Sequence, residues 1–264
     1  MKRIHIICFS PTGSTRKLAE AVAEGLGLPV TVTDCTMPSA RDGAPDLAPV
    51  LAEDELPLLA APVYYGRVQA HAASCFKALK GGGRPAVLLV NYGNRHYDDA
   101  VRELYDIALA SDLKPVTAAA FVSEHSFSIE SCPMAAGRPD ADDLAKARDF
   151  GREARKALDA GRVMAPPSGA GDYKPYPDFH RAPTSNEACT LCGVCVSVCP
   201  VAAISIEDGA LVTDEPACIV CQACVKSCPE GARNDTAPGA VETRAHLKKL
   251  GLTEQRREPE YFGV

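Results

Sequence analysis

Up to about residue 160 the chain alternates short apolar runs with longer amphipathic stretches. Ile4 to Phe9, Val30 to Thr33, Leu56 to Ala61, Ala86 to Asn91 and Val116 to Val122 are rich in Ile, Val and Leu. Gly, Pro or polar residues bound each run, which is the pattern of strands buried on both faces. Between them the apolar spacing becomes helical. Thr15 to Leu26 carries Leu18, Val22 and Leu26 on one face, and Asp98 to Ala110 carries Val101, Leu104 and Leu109. Asp140 to Ala160 starts after Pro139, has aspartates in its first turn and ends at Gly161. The alternation predicts an α/β domain: a parallel sheet with helices on both faces.

The pattern then breaks. Pro166, Pro167, Ser168, Gly169, Gly171, Pro175, Pro177 and Pro183 cannot hold regular structure for long and predict a semi-rigid linker over residues 164–183. The following segment repeats itself with a period of 29 residues, aligned from Cys189 and Cys218. Between the copies, Ile204-Ser205-Ile206 and Leu211-Val212-Thr213 flank Asp208-Gly209, a hairpin signal. Val241, Leu247 and Leu250 suggest a last helix ending at Gly251, followed by a polar tail. The expected organisation is a first domain over 1–163, the linker, a second domain over 184–238, and a helix and tail over 239–264.

Each repeat contains Cys-x-x-Cys-x-x-Cys-x-x-x-Cys-Pro, and together the two hold eight of the twelve cysteines. This is the bacterial ferredoxin spacing, in which three close cysteines ligate one [4Fe–4S] cluster and the fourth ligates the other. It assigns Cys189, Cys192, Cys195 and Cys228 to one cluster, and Cys218, Cys221, Cys224 and Cys199 to the second. Zinc ribbons use paired Cys-x-x-Cys without the third and fourth members. Residues 184–236 resemble two-cluster bacterial ferredoxins, with no departure from the ligand pattern, which implies a small α+β domain that moves electrons singly. Cys8, Cys35, Cys75 and Cys132 fit no pattern and are expected to be ordinary buried or free thiols.

Composition narrows the setting. Among 264 residues, 46% are hydrophobic and 23% charged, a globular balance, and the net charge is −6. No basic run offers a nucleic-acid surface, and no apolar stretch is long enough to span a bilayer. Met1 to Ser10 lacks the h-region and cleavage site of a signal peptide, so a buried first strand in a cytoplasmic protein is expected. Packing so many cysteines into forty residues of a larger chain is unlike a disulfide scaffold and fits a reducing interior. Residues 184–235 hold seven carboxylates against Lys226 and Arg233, a net of −5. Such a surface would steer a basic protein partner toward the clusters, although it is also what a solvated small domain shows.

The ends of the predicted strands carry the remaining chemistry. Ser10-Pro11-Thr12-Gly13-Ser14-Thr15 runs from the first strand into a helix, offering hydroxyls and backbone N–H groups to a phosphate, or simple N-caps. The third predicted strand ends in Pro62-Val63-Tyr64-Tyr65-Gly66-Arg67, and the fourth in Asn91-Tyr92-Gly93-Asn94-Arg95-His96-Tyr97. All three loops fall where open α/β sheets bind ligands. Residues 1–160 resemble a flavodoxin, which implies a five-stranded doubly wound sheet of order 2-1-3-4-5. By that match Ser10, Thr12, Gly13, Ser14 and Thr15 take the phosphate of FMN. The loops 62–67 and 91–97 hold its isoalloxazine: Pro62 and Val63 belong to the first, Gly93 to the second, Tyr64, Tyr65, Tyr92 and Tyr97 are candidates to stack, and Gly66, Asn91 and Asn94 to bond the polar edge. The chain departs from the family in having no Trp and in placing Arg67 and Arg95 here. Arginines beside the ring would favour its anionic reduced form and raise its potential.

The whole order resembles the flavodoxin–ferredoxin fusion proteins of anaerobes. It implies an electron carrier with one FMN and two [4Fe–4S] clusters. Two other functions stay open at this level: a reductase of a quinone, flavin or other small acceptor at the FMN, and a redox sensor. His125, in Glu124-His125-Ser126-Phe127-Ser128, is either a proton donor to flavin or substrate, or a loop residue making a structural hydrogen bond. No Gly-x-Gly-x-x-Gly follows a strand, so oxidation of a nicotinamide has no support.

Overall fold

The computed structural model describes residues 1–40, 51–169, 171–178 and 180–264. Residues 41–50 of the predicted first domain, and residues 170 and 179 of the predicted linker, lie outside the described residues. The first part of the chain forms β1 (Arg3–Cys8), α1 (Ser14–Leu26), β2 (Val30–Asp34), β3 (Glu55–Tyr64), β4 (Arg67–Val68), α2 (Ala70–Lys77), β5 (Arg84–Tyr92), α3 (Ala100–Ala110), β6 (Leu113–Val122) and α4 (Ala141–Asp159). Five long strands stand parallel in the order β2-β1-β3-β5-β6, the doubly wound, flavodoxin-like order.

Side chains alternate across this sheet. From β1, Ile4, Ile6 and Cys8 pack with Leu18 and Val22 of α1 and Phe150 of α4. Ile7 and the following Phe9 face the opposite layer, with Phe76 of α2 and Leu104 of α3. Helices α1 and α4 cross at glycines: a Cβ on Gly25 would lie 2.0 Å from the Arg148 carbonyl oxygen, and one on Gly151 2.2 Å from that of Val22. Helix α4 begins with a reciprocal capping box. The Asp143 N–H donates to the Asp140 carboxylate at 3.0 Å, and the Asp140 N–H to that of Asp143 at 3.0 Å.

The second part holds β7 (Thr184–Ser185), α5 (Val194–Ser197), β8 (Ile204–Glu207), β9 (Ala210–Thr213), α6 (Ala223–Lys226) and β10 (Arg233–Asn234). Strands β8 and β9 pair across the Asp208-Gly209 turn, and β7 pairs with β10. The sequence repeat is also a backbone repeat. Leu191 and Val220, Gly193 and Gln222, and Ala202 and Gly231 each adopt positive φ at the same offset.

Helix α7 (Pro238–Lys249) follows, and the expected polar tail then returns to the first sheet as β11 (Glu260–Phe262), antiparallel to β6. Tyr261 stacks on Phe150 at 5.3 Å, so the tail covers an edge that would otherwise present unpaired backbone groups. The expectation of ordinary thiols also needs correction. Cys35, just past β2, and Cys75 on α2 form a disulfide with Cα atoms 6.7 Å apart, while Cys8 and Cys132 are buried free thiols. Forty residues separate the pair. Only the packing of α2 against the end of β2 brings the two together.

Candidate cofactor sites

A cavity of about 220 Å³ opens at the carboxyl ends of β1, β3, β5 and β6. Pro11, Thr12 and Thr15 line it from the first loop, and Pro62 to Gly66 from the second. Asn91, Tyr92, Gly93, Arg95 and His96 come from the third, and Ser123 to Phe127 from the fourth. Ile219, Val220 and Cys221 of the cysteine-rich part, with Thr243 and Leu247 of α7, complete the wall.

Local bonding explains which predicted residues reach it. Helix α1 has Gly13 at its N-cap with no side-chain cap, so neither Ser14 nor Thr15 performs the capping that a purely structural reading requires. Ser10 turns inward: its hydroxyl accepts from the Arg16 N–H at 3.1 Å and its N–H donates to the Thr36 hydroxyl at 2.7 Å. The Thr15 hydroxyl donates to Asn91 at 2.5 Å, and the Asn91 amide donates to Ser123 at 2.7 Å. These bonds tie three loops together and use part of the Asn91 side chain expected to serve a ligand. Between β3 and β4 a tight turn places Tyr65 and Gly66 at positive φ, and Tyr64 and Tyr65 on the wall. Burial lifts the Tyr64 phenol well above its ordinary value, and the nearby Cys221 and Cys218 thiols add to the effect.

Of the residues expected at the site, Ser10, Gly13, Ser14, Arg67, Asn94 and Tyr97 do not line the cavity. Arg67 forms a fork with Glu103 at 2.8 and 2.6 Å, donates to the Lys174 carbonyl, and lies 4.6 and 5.0 Å from the ring centres of Tyr173 and Tyr176. Glu103 supplies the charge that Arg67 was expected to find on a reduced ring. Asn94 is fully buried, and its amide donates to the carbonyls of Leu252 and Gln255 in the tail at 3.0 and 2.8 Å. Tyr97 donates to Glu260 at 2.6 Å and packs against Phe262. Arg95 remains on the wall, paired with Asp98.

His125 lines the cavity, and a Cβ on Gly93 would sit 2.5 Å from its ring. The Phe127 N–H donates to its Nδ1 at 3.1 Å, which leaves Nε2 protonated. Burial first, then the charges of Lys226 and Arg95, lower its pKa to about 4. At neutral pH this makes it a neutral imidazole with an Nε2 N–H to donate. Above its unfolded value of 6.5 the imidazole is neutral in both states. Between 6.5 and about 4 only the unfolded chain takes the proton, so stability falls by at most about 1.4 kcal/mol per pH unit, then levels. In flavin-stripped protein, thermal unfolding of His125→Gln should lose less stability than wild type on acidification through this window. Parallel curves would contradict the assignment.

Two further cavities lie in the cysteine-rich part. Cys189, Cys192, Cys195 and Cys228 line one, and Cys199, Cys218, Cys221 and Cys224 the other. Backbone N–H groups point at the sulfurs: Ala203 to Cys199 at 3.2 Å and Val220 to Cys218 at 3.4 Å. N–H groups of Arg233, Ala232, Glu230 and Gly231 hold the Cys228 thiol below its ordinary pKa, whereas burial pushes Cys221 up to about 12. Cys221 is shared by this second cavity and the larger one. Around the seam Lys226 pairs with Glu124 at 2.5 Å, and the Arg181 guanidinium lies 4.7 Å from the Phe127 ring centre. The wall contributed by residues 219–221, 243 and 247 carries no signal in its own sequence, because it exists only through docking.

Residues 188–232 match the family model described as a 4Fe-4S dicluster domain. No curated protein matches the chain. Structural comparison aligns 60% of the chain with 99% of an archaeal flavodoxin at 13% identity and a TM-score of 0.39. It aligns 61% with 99% of a Fusobacterium nucleatum flavodoxin bound to flavin mononucleotide, at 15% identity and 0.40. The Synechocystis Flv1 flavodiiron core aligns over 61% of this chain and 36% of its own, at 15% identity and 0.41. By strand order and by the matched segment, the chain joins a flavodoxin-like domain to a ferredoxin-like dicluster domain. Among the described residues no helix is long and apolar enough to cross a membrane.

Proposed function

We propose that the chain is an electron carrier that passes electrons between two [4Fe–4S] clusters and one FMN. The observation that carries this reading is Cys221, which borders both a four-thiol cavity and the cavity of the sheet loops. Thr12, Thr15 and the uncapped first turn of α1 would hold the FMN phosphate; Pro62 to Gly66, Tyr92, Gly93 and Arg95 would hold its ring. Cys189, Cys192, Cys195 and Cys228 would ligate the outer cluster, and Cys199, Cys218, Cys221 and Cys224 the inner one. Each cavity gathers four cysteines, three of them from one repeat and one from the other, a soft donor set suited to an iron–sulfur cluster and unlike the paired Cys-x-x-Cys of zinc ribbons. Flavin accepts one or two electrons and a cubane one, so the pair can convert between the two regimes.

The chain's own residues orient and insulate. The 219–221 loop and α7 stand over the sheet loops, where a small acceptor would have to approach, and this favours internal transfer over a reductase. The docking partner is a basic protein. Lys226 is engaged by Glu124 and Arg233 is buried, which leaves Glu187, Glu207, Asp208, Asp214, Glu215 and Glu230 as exposed carboxylates around the clusters. Anaerobic purification with iron, sulfide and flavin quantitation tests the reading. About eight irons and one FMN per chain are expected; absence of flavin, or about four irons, would overturn it.

A further inference from the structure

The 29-residue repeat places Arg233 opposite Ile204. Each residue opens a short strand directly after its Cys-Pro turn, and each is buried, at 4% and 5% exposure. Ile204 does what that position asks of an apolar side chain and packs with Cys195, Cys199, Ala203 and Cys224. Arg233 puts a permanent cation at the equivalent place.

That cation lacks a carboxylate. Among the described residues Arg233 makes no ion pair. Its guanidinium donates to the hydroxyls of Ser185 and Thr213 at 3.3 and 3.2 Å and reaches the Cys224 sulfur at 3.9 Å. Its Nε is buried without a hydrogen-bond partner. Removing an unpaired guanidinium from water costs several kcal/mol, and proteins bury such charges only against an opposite charge. The position of Arg233 indicates where the opposite charge lies. Among the described residues it is the one that lines both four-thiol cavities. It shares one cavity with Cys228, and its guanidinium faces Cys224 in the other.

We propose that Arg233 is the shared counter-ion of the two clusters and raises the reduction potential of both. The proposal rests on the presence of two clusters. Each reduction adds one electron to a cluster already bound by four thiolates, with no bond broken and no proton required. A fixed positive charge in a poorly screened interior stabilises the more negative, reduced form. Because Arg233 lines the cavities of both thiol sets, its charge lies close to both, unlike that of a cation at the rim of one.

Potentiometric titration of anaerobic holoprotein, followed by the paramagnetic signals of the reduced clusters, tests this. Arg233→Gln keeps donors but removes charge. It should shift both one-electron equilibria at least tenfold toward the oxidised form, about 59 mV for each tenfold. Arg233→Lys should stay near wild type. Wild-type midpoints in an iron-replete Arg233→Gln protein would overturn the proposal, as would a shift confined to one cluster or an equal shift in Arg233→Lys. Iron loss in both variants would make Arg233 a scaffold residue and also sink the proposal. If wild-type protein itself lacks about eight irons, the electron-carrier reading fails first.

Discussion

Cys221→Ala is expected to lower iron from about eight to about four per chain and to disconnect the remaining cluster from the flavin. Cys221 is the member of its thiol set that also lines the sheet-loop cavity, so the substitution removes a proposed ligand and the one thiol that the two cavities share. The other thiol set, with Cys192 exposed and Leu191 beside it, borders no part of that cavity. Cys192→Ala should cost the same amount of iron while leaving the inner cluster beside the flavin. The two variants therefore separate a series arrangement from a parallel one. Rapid mixing with a reduced low-potential protein donor, with the flavin absorbance as readout, supplies the measurement. In Cys221→Ala the flavin should stay oxidised over the time in which wild type is fully reduced, while the remaining cluster still bleaches. Wild-type flavin reduction in Cys221→Ala would refute the order of the wire.

What the sequence disclosed, and what it concealed, follow one physical division. The central strands are legible because burial on both faces leaves runs such as Leu56 to Ala61 nearly unbroken, whereas β2 lies partly exposed at the sheet edge. The cysteine pattern is legible because three thiols of each set, such as Cys218, Cys221 and Cys224, recur at fixed short spacing in two copies of one repeat. Helix α2 escaped notice because it is eight residues long and is capped by Gln69, whose side chain accepts from the N–H groups of His71 and Ala72. Strand β11 escaped because three residues carry no periodicity, and its pairing partner lies about 140 positions upstream. Arg67 and Asn94 sit in the expected loops, yet their partners, Glu103 and the tail carbonyls, are distant in the chain. Loop position was readable for both, and side-chain direction was not.

The same long-range contacts change the meaning of the linker. Its prolines predict a stiff spacer, but its side chains are bound to the first domain. Tyr173 and Tyr176 receive Arg67, the Lys174 ammonium pairs with Asp98 at 2.9 Å, and the Lys174 N–H donates to Asp99 at 2.8 Å. Lys226 and Arg181 hold the opposite side of the seam. Exposed pairs of this kind are worth at most about 1 kcal/mol each, so the docking depends on their number and on the apolar wall of Ile219, Val220 and Leu247.

Arg138→Ala should produce the largest stability loss of any single charge removed from this chain, about 3–5 kcal/mol. Arg138 and Asp143 have side chains only 4% and 1% exposed and meet in a fork at 2.8 and 2.5 Å. Arg138 also donates to the Arg257 carbonyl of the tail at 3.0 Å, and its own carbonyl accepts from the Glu124 N–H at 3.0 Å. The guanidinium thus joins the start of α4 to the returning tail, and the backbone of the same residue holds the loop that carries His125. Alanine would leave the buried Asp143 carboxylate with only the more distant Arg256, at 3.9 Å, and that poorly compensated charge causes most of the loss. Replacing both partners tests this account: Arg138→Met with Asp143→Leu removes the charge pair, leaving mainly the lost capping box, about 1 kcal/mol. Urea unfolding should therefore show the single variant with a much lower midpoint at an unchanged slope, and the double variant restored most of the way toward wild type. A double variant as unstable as the single would mean that the fork is held for its hydrogen bonds to the tail and not for its charge.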